Sequence, residues 1–278
     1  MTAVVYRNMT QQELDAAYDN TRAVADSARI LADFEERSRR LAEWKPDYLD
    51  LRYGPRKRQR MDFFKAGSPG APLLIFIHGG YWQMRCKETF RFLASGALRH
   101  GISVAFPGYT LAPEQSVGGI VGEIRDSLRF LREHAAAFDF DCSRIVVSGW
   151  SAGGQLACMM ADEPGVAGVL AISGIFDLEP VRFSFLNEKL RLKPEEIAPL
   201  SPIHRSLSRK PVISVCGGGE LPELQRQTWD FARLRAAAEL PGGAFTLAGH
   251  NHFTILRELE KPDGKITALL RLLFSASR

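Results

Sequence analysis

The pentapeptide Gly149-Trp150-Ser151-Ala152-Gly153 puts a serine between two glycines at the end of an apolar run, Arg144-Ile145-Val146-Val147-Ser148. A helix-forming run, Gln155 to Met160, follows directly. Strand, Gly-x-Ser-x-Gly turn and helix make a nucleophile elbow. The turn holds the serine in a strained backbone conformation, so its neighbours must be small. The Ser151 hydroxyl then stands at the positive end of a helix, which favours developing negative charge.

Serine is a weak nucleophile at its own pKa, so the elbow calls for a base, a carboxylate to orient the base, and donors for an oxyanion. With an elbow of this kind the chain order is nucleophile, acid, histidine. Only His250 and His252, in Gly249-His250-Asn251-His252-Phe253, fall late enough. His252 directly precedes the last helical run and is the expected base; His250 is expected to shape the loop or touch the pocket. His78, His100, His134 and His204 come before the base position. The acid is expected after the strand Pro211–Cys216, in Gly217-Gly218-Gly219-Glu220, where Glu220 fits. Glu223, one helical turn further on, and Asp177, after the preceding strand, are its rivals. No Lys-Ser/Thr follows the three glycines, so they do not read as a phosphate cradle. The oxyanion donors are expected in His78-Gly79-Gly80-Tyr81-Trp82, because paired glycines let backbone amides turn inward. The amides of Gly80 and Tyr81, with that of Ala152, are the expected set. His78 itself reads as an orienting residue. Tyr81 and Trp82 read either as packing or as the wall of a substrate pocket, and Phe183 is a further candidate for that wall.

These groups need a rigid frame, and the pattern supplies one. Short apolar strands are expected at Leu73–Ile77, Ile102–Phe106, Arg144–Ser148, Val166–Ile172, Val212–Val215 and Ala244–Leu247. Amphipathic runs such as Gly122–Ala137, Leu224–Ala238 and Thr254–Phe274 lie between or after them. Alternation of apolar strands with helices implies a mostly parallel sheet covered on both faces. Strand pattern begins earlier, at Leu51 and Tyr53, then Met61, Phe63 and Phe64. Residues 10–45 read as polar and helical, with stripes Leu14-Ala17-Tyr18-Thr21 and Ile30-Leu31-Phe34-Leu41. An excursion from Asp177 to about Lys210, carrying Phe183, Phe185, Leu186 and Leu190, is expected either to cover a pocket or to bridge two strands on the surface.

The chain has 278 residues, is 45% hydrophobic and carries a net charge of +4, enough for one full-core domain over 1–278. The densest basic run, Arg56-Lys57-Arg58-Gln59-Arg60, reads as a solvated loop or strand edge rather than a nucleic-acid patch. The mild positive field suits a small anionic substrate. Four scattered cysteines, Cys86, Cys142, Cys158 and Cys216, show no metal or redox spacing and read as reduced and mostly buried. The N-terminus lacks a signal-peptide h-region, and no stretch is long and apolar enough to span a bilayer. A soluble cytoplasmic protein without cofactor, metal, nucleic-acid or membrane partner is expected; a homodimer is compatible.

Taken together, these segments resemble the α/β-hydrolase superfamily, and within it the kynurenine formamidase (arylformamidase) branch. His78-Gly79-Gly80-Tyr81-Trp82 is similar to that branch's signature, where related lipases and esterases usually carry a third glycine. Ser173-Gly174-Ile175-Phe176-Asp177-Leu178-Glu179-Pro180, Leu200-Ser201-Pro202-Ile203, Pro222-Glu223 and Arg226-Gln227 are similar to family segments as well. The resemblance spans roughly residues 50 to 275. One departure is Glu220, where the family commonly has Asp. The resemblance implies an α/β-hydrolase fold and hydrolysis of an aryl formamide such as N-formylkynurenine, with release of formate and an aromatic amine. Relatives of this branch include general esterases, so a carboxylesterase for small acyl esters is the alternative. A hydrolase-fold binding protein without activity is a third reading, and the complete set of nucleophile, base and acid speaks against it.

Overall fold

The structure is a computed structural model and describes residues 3–45, 48–205 and 207–275. Met1, Thr2 and the last three residues of the expected domain lie outside the described residues.

A mostly parallel sheet of eight strands forms the centre. They are β3 (Leu51–Arg52), β4 (Arg60–Phe64), β5 (Ala71–Ile77), β6 (Ser103–Pro107), β7 (Phe140–Trp150), β8 (Val166–Ile172), β9 (Val212–Gly217) and β10 (Gly242–Leu247). A separate two-stranded hairpin, β1 (Val4–Tyr6) and β2 (Met9–Thr10), precedes them. The order across the large sheet is β10-β9-β8-β7-β5-β6-β4-β3. Only β3 and β4 run antiparallel to their neighbours. This is the α/β-hydrolase arrangement.

Alternation along each strand divides the core between two faces. In β5, Leu73, Ile75 and Ile77 enter one apolar cluster, whereas Leu74 and Phe76 enter the other. Val147 and Val146 of β7 divide likewise, as do Ala171 and Leu170 of β8. Strands buried on both faces need this continuous apolar sequence.

Several expected elements differ in extent. Residues 10–45 hold three helices, α1 (Gln11–Ala17), α2 (Asn20–Ala23) and α3 (Ser27–Trp44). Thr10 closes a capping box with Glu13, and the Asp19 side chain accepts from Arg22 N–H, so each start is specified locally. The run Thr254–Phe274 is broken into a 3-10 turn (Thr254–Leu256) and two helices, Arg257–Glu260 and Lys265–Ser275. Pro262 interrupts it, and a Cβ at Gly264 would lie 2.1 Å from Glu258 O. The excursion after β8 consists of helices Glu179–Phe183, Asn187–Leu190 and Pro194–Leu200 and a 3-10 turn. Its Leu186, Leu190, Ile197 and Leu200 are buried in the core. All four cysteines are free, but only Cys216 is buried and Cys142 is exposed, which corrects the expectation of mostly buried thiols. Among the described residues no helix is long and apolar enough to cross a membrane.

Candidate active site

Parallel strands deliver their C-terminal ends to one edge of the sheet, and five adjacent ends carry the polar groups singled out above. Register pairs Ile77 with Gly149, Trp150 with Ile172, Ile172 with Val215, and Gly217 with Leu247. Past these ends come, in spatial order, the His78–Trp82 loop, Ser151, Ser173, Glu220 and His252.

Ser151 adopts φ 58° and ψ −120°, a strained region of backbone space, directly before the helix Ala152–Met159. The glycines at either side are steric necessities. A Cβ on Gly149 would lie 2.0 Å from Gly153 O, and one on Gly153 would lie 2.1 Å from Ile77 O. The Ser151 N–H donates to Ile172 O at 2.9 Å, pinning the elbow to β8.

His252 Nδ1 is 3.0 Å from Glu220 Oε2, and both side chains are buried. An acceptor-only carboxylate requires Nδ1 to carry the hydrogen, which leaves Nε2 with a free lone pair. The other carboxylate oxygen, Oε1, accepts from Gly217 N–H at 2.5 Å and from Ser173 Oγ at 2.6 Å. The His252 ring packs 4.7 Å from the ring of Trp150, whose indole N–H donates to His252 O at 2.8 Å. The imidazole is therefore fixed beside the residue that precedes Ser151. No hydrogen bond joins Ser151 Oγ to His252 here; such contacts commonly close only with substrate bound.

The rival acids are engaged elsewhere. Glu223 pairs with Arg226 and accepts from Tyr18 OH, while Asp177 accepts from Tyr6 OH at 3.4 Å and lies 3.3 Å from His204 Nε2. His250 points its Nδ1 at Thr254 O, shaping its loop.

In the His78–Trp82 loop, Gly80 has φ +112° and a Cβ there would lie 2.2 Å from Met84 O. The backbone N–H groups of Gly80, Tyr81 and Ala152 have no acceptor among the described residues. His78 is buried, with Nδ1 2.7 Å from Gly79 O and its ring stacked 4.3 Å from Tyr109. Holding the Gly79 carbonyl fixes a trans peptide plane, which turns the Gly80 N–H to the opposite side. Burial lowers the His78 pKa to about 4. Arg58, from the basic run, donates to Tyr109 O at 2.8 Å and Arg85 O at 2.6 Å, so it fixes the backbone of the residue stacked on His78.

Of the two readings left open for Trp82, the structure shows packing. Its side chain is 0% exposed and lies within the core, where the indole N–H donates to Gln155 Oε1 at 3.1 Å. Tyr81 is half-buried, with its phenol turned to Asn20 and the Tyr18 carbonyl. Phe183 packs against the core under the Arg182 guanidinium. A groove of about 890 Å³ runs along Asp15, Asp19, Arg22, Phe185 and Leu221, next to the acid loop but lined by none of Ser151, Glu220 and His252. Phe185 is its 44% exposed aromatic. Composition alone did not separate Phe183 from Phe185: Phe183 ends the helix Glu179–Phe183 and packs on the core, whereas Phe185 stands in the turn that follows. Sequence reading also missed the bonding roles of Ser173, Trp150 and Asn20.

The BD-FAE family model matches residues 61–174, from β4 to just past β8. A kynurenine formamidase from Danio rerio is 26% identical over 95% of this chain and 97% of its own. Among solved structures, a Silicibacter sp. protein ascribed thioesterase activity superposes with a TM-score of 0.82. It shares 28% identity, over 93% of this chain and 99% of that one. A hyperthermophilic esterase from Pyrobaculum calidifontis gives 0.71 at 20% identity, over 90% and 94%. Fold, strand-end geometry and these matches identify the chain as a hydrolase of the α/β-hydrolase superfamily. Within that superfamily it resembles the kynurenine formamidase-like esterase branch.

Proposed function

We propose that the chain is a serine hydrolase that cleaves an aryl formamide of the N-formylkynurenine type through an acyl-enzyme. The observation that carries the chemistry is the buried His252–Glu220 contact at 3.0 Å beside a strained Ser151 at a helix start. Ser151 Oγ attacks the formyl carbon while His252 Nε2 takes its proton. Glu220 holds the tautomer and stabilises the imidazolium. The N–H groups of Gly80, Tyr81 and Ala152 receive the oxyanion; losing one such donor costs about 3 kcal/mol of transition-state stabilisation. His252 then protonates the departing arylamine and next activates water, which releases formate and restores Ser151.

Two observations support a formamide. One is likeness to a kynurenine formamidase along nearly the whole chain. The other is burial of the nucleophile: Ser151 is 2% exposed. Little room around the hydroxyl favours the smallest acyl group. A carboxylesterase is the second reading, favoured by esterases among the structural neighbours.

Comparing kcat/KM for N-formylkynurenine and for p-nitrophenyl esters from formate to butyrate tests this, in wild type and Ser151→Ala. The expected result is formamide turnover, ester rates that fall steeply with acyl length, and no turnover in Ser151→Ala. Ester turnover without formamide turnover would assign the second reading; an active Ser151→Ala would refute both.

A further inference from the structure

We propose that the N-terminal segment is a working part of the oxyanion hole: Asn20 and the Tyr18 carbonyl hold the Tyr81 phenol, and through it the Tyr81 backbone, in donating position. The inference rests on the reading of Gly80, Tyr81 and Ala152 as oxyanion donors.

The loop needs external support. Tyr81 has φ 52° and Trp82 has φ 59°, both in the left-handed region that non-glycine residues avoid. Such backbone is strained, and two such residues in succession persist only when the surroundings enforce them. Trp82 is enforced from the elbow side. Its indole N–H donates to Gln155 Oε1, and Gln155 Nε2 donates to Leu200 O at 2.8 Å. Tyr81 is enforced from the opposite side. Its hydroxyl accepts from Asn20 Nδ2 at 2.5 Å and donates to Tyr18 O. Asn20 and Tyr18 are both buried, so water does not replace these partners cheaply.

The anchor is itself anchored. Tyr18 OH donates to Glu223 Oε1 at 3.2 Å and accepts from Gln227 Nε2 at 2.7 Å. Both acceptor and donor belong to helix Pro222–Ala237, which begins two residues after Glu220. Tyr18 thus joins the helix that follows the acid loop to the oxyanion loop, with its hydroxyl on one and its carbonyl on the other. Burial raises the Tyr81 phenol well above its ordinary pKa, which keeps its hydrogen available to Tyr18 O. The hairpin β1–β2, α1 and α2 contribute no strand to the central sheet. Without them the chain would keep Ser151, Glu220 and His252 but leave Tyr81 unheld.

Asn20 is therefore a positioning residue, and Tyr81→Phe tests it cleanly because the backbone N–H remains. Steady-state kinetics of Asn20→Ala, Tyr81→Phe and the double variant would be normalised to active serine by organophosphate titration, with Tm measured in parallel. Each single variant is expected to lose about tenfold in kcat with KM held within about twofold, the pattern of an interaction made in the transition state. The double variant is expected to fall no further than Tyr81→Phe. Asn20→Ser, whose hydroxyl still donates, is expected to recover part of the loss. Ser38→Ala serves as the stability control: buried Ser38 Oγ bonds Thr89 O at 2.9 Å, away from the site. Unchanged kcat in Tyr81→Phe, additive losses, or an equal kcat loss in Ser38→Ala would overturn the proposal. If Ser151→Ala abolishes activity while Tyr81→Phe keeps wild-type kcat, only this inference falls. If Ser151→Ala stays active, the functional reading falls and takes this inference with it.

Discussion

Lowering the pH from 6.5 to 4.5 should weaken the fold through one residue, His78. Its ring is buried, its Nε2 has no partner among the described residues, and its pKa falls to about 4 from an ordinary 6.5. The folded state therefore refuses a proton that the unfolded chain accepts below pH 6.5. Where the unfolded state binds more protons, stability rises with pH, so acidification through this window removes it. The loss by pH 4.5 is about 2.5 kcal/mol, at about 1.4 kcal/mol for every pH unit below 6.5. Carboxylates held low enter further down. Burial pushes Glu88 up, yet the Lys87 ammonium beside it brings its pKa to about 2. Urea unfolding followed by tryptophan fluorescence at pH 7, 6, 5 and 4.5 measures the loss in wild type and in His78→Asn. The amide keeps a donor for Gly79 O but does not titrate. It forfeits the ring stacked on Tyr109, so its baseline stability falls by about 1–3 kcal/mol. Its pH dependence should be nearly flat over the window. A variant as acid-sensitive as wild type would refute the assignment of this proton to His78.

Glu220→Gln should lower kcat by about 10³-fold or more, because an amide fixes the wrong tautomer of His252. Asp177→Asn should stay within about threefold of wild type in kcat, since Asp177 faces Tyr6 and His204; equal losses would reopen the choice of acid. Gly149→Ala places a methyl carbon 2.0 Å from Gly153 O and should prevent recovery of folded, Ser151-reactive protein. Gly122→Ala, in helix Val117–Glu133 with nothing within 4 Å of the new carbon, should stabilise by about 0.5–1 kcal/mol in urea unfolding.

Much of this arrangement was legible in the sequence because the elbow is defined by local constraints. Glycines at 149 and 153 are forced by backbone contacts on either side of Ser151, so residue type and spacing carry the geometry. The parallel strands were legible for a related reason: a strand buried on both faces has to be apolar throughout. What the sequence hid depends on contacts between distant segments. Trp82 in the signature loop could pack or line a pocket, and only its indole's reach to residue 155 decides for the core. Asn20 and Tyr18 lie some sixty residues from Tyr81, and nothing in their spacing announces the contact. The break at Pro262 within the last amphipathic run was written in the residue itself; periodicity read without the proline extended the helix through it.

The glutamate in the acid position shows how such distant contacts settle a local question. A side chain one methylene longer than aspartate would overshoot the imidazole unless its root were drawn back. Here Glu220 N–H bonds Gly217 O at 3.2 Å and Gly219 N–H bonds His250 O at 2.9 Å, folding the acid loop against the histidine loop. The carboxylate turns back far enough for Oε1 to take the Gly217 N–H, and Ser173 Oγ braces the same oxygen from the end of β8. Only Oε2 is left to face His252. Hydrogen bonds to a carboxylate are among the stronger ones, and two on one oxygen fix the rotamer as well as the charge. Ser173 reaches this position through a positive φ of 52°. A strained serine at the end of β8 has a physical reason here: it holds back the extra methylene that glutamate brings to the acid position after β9.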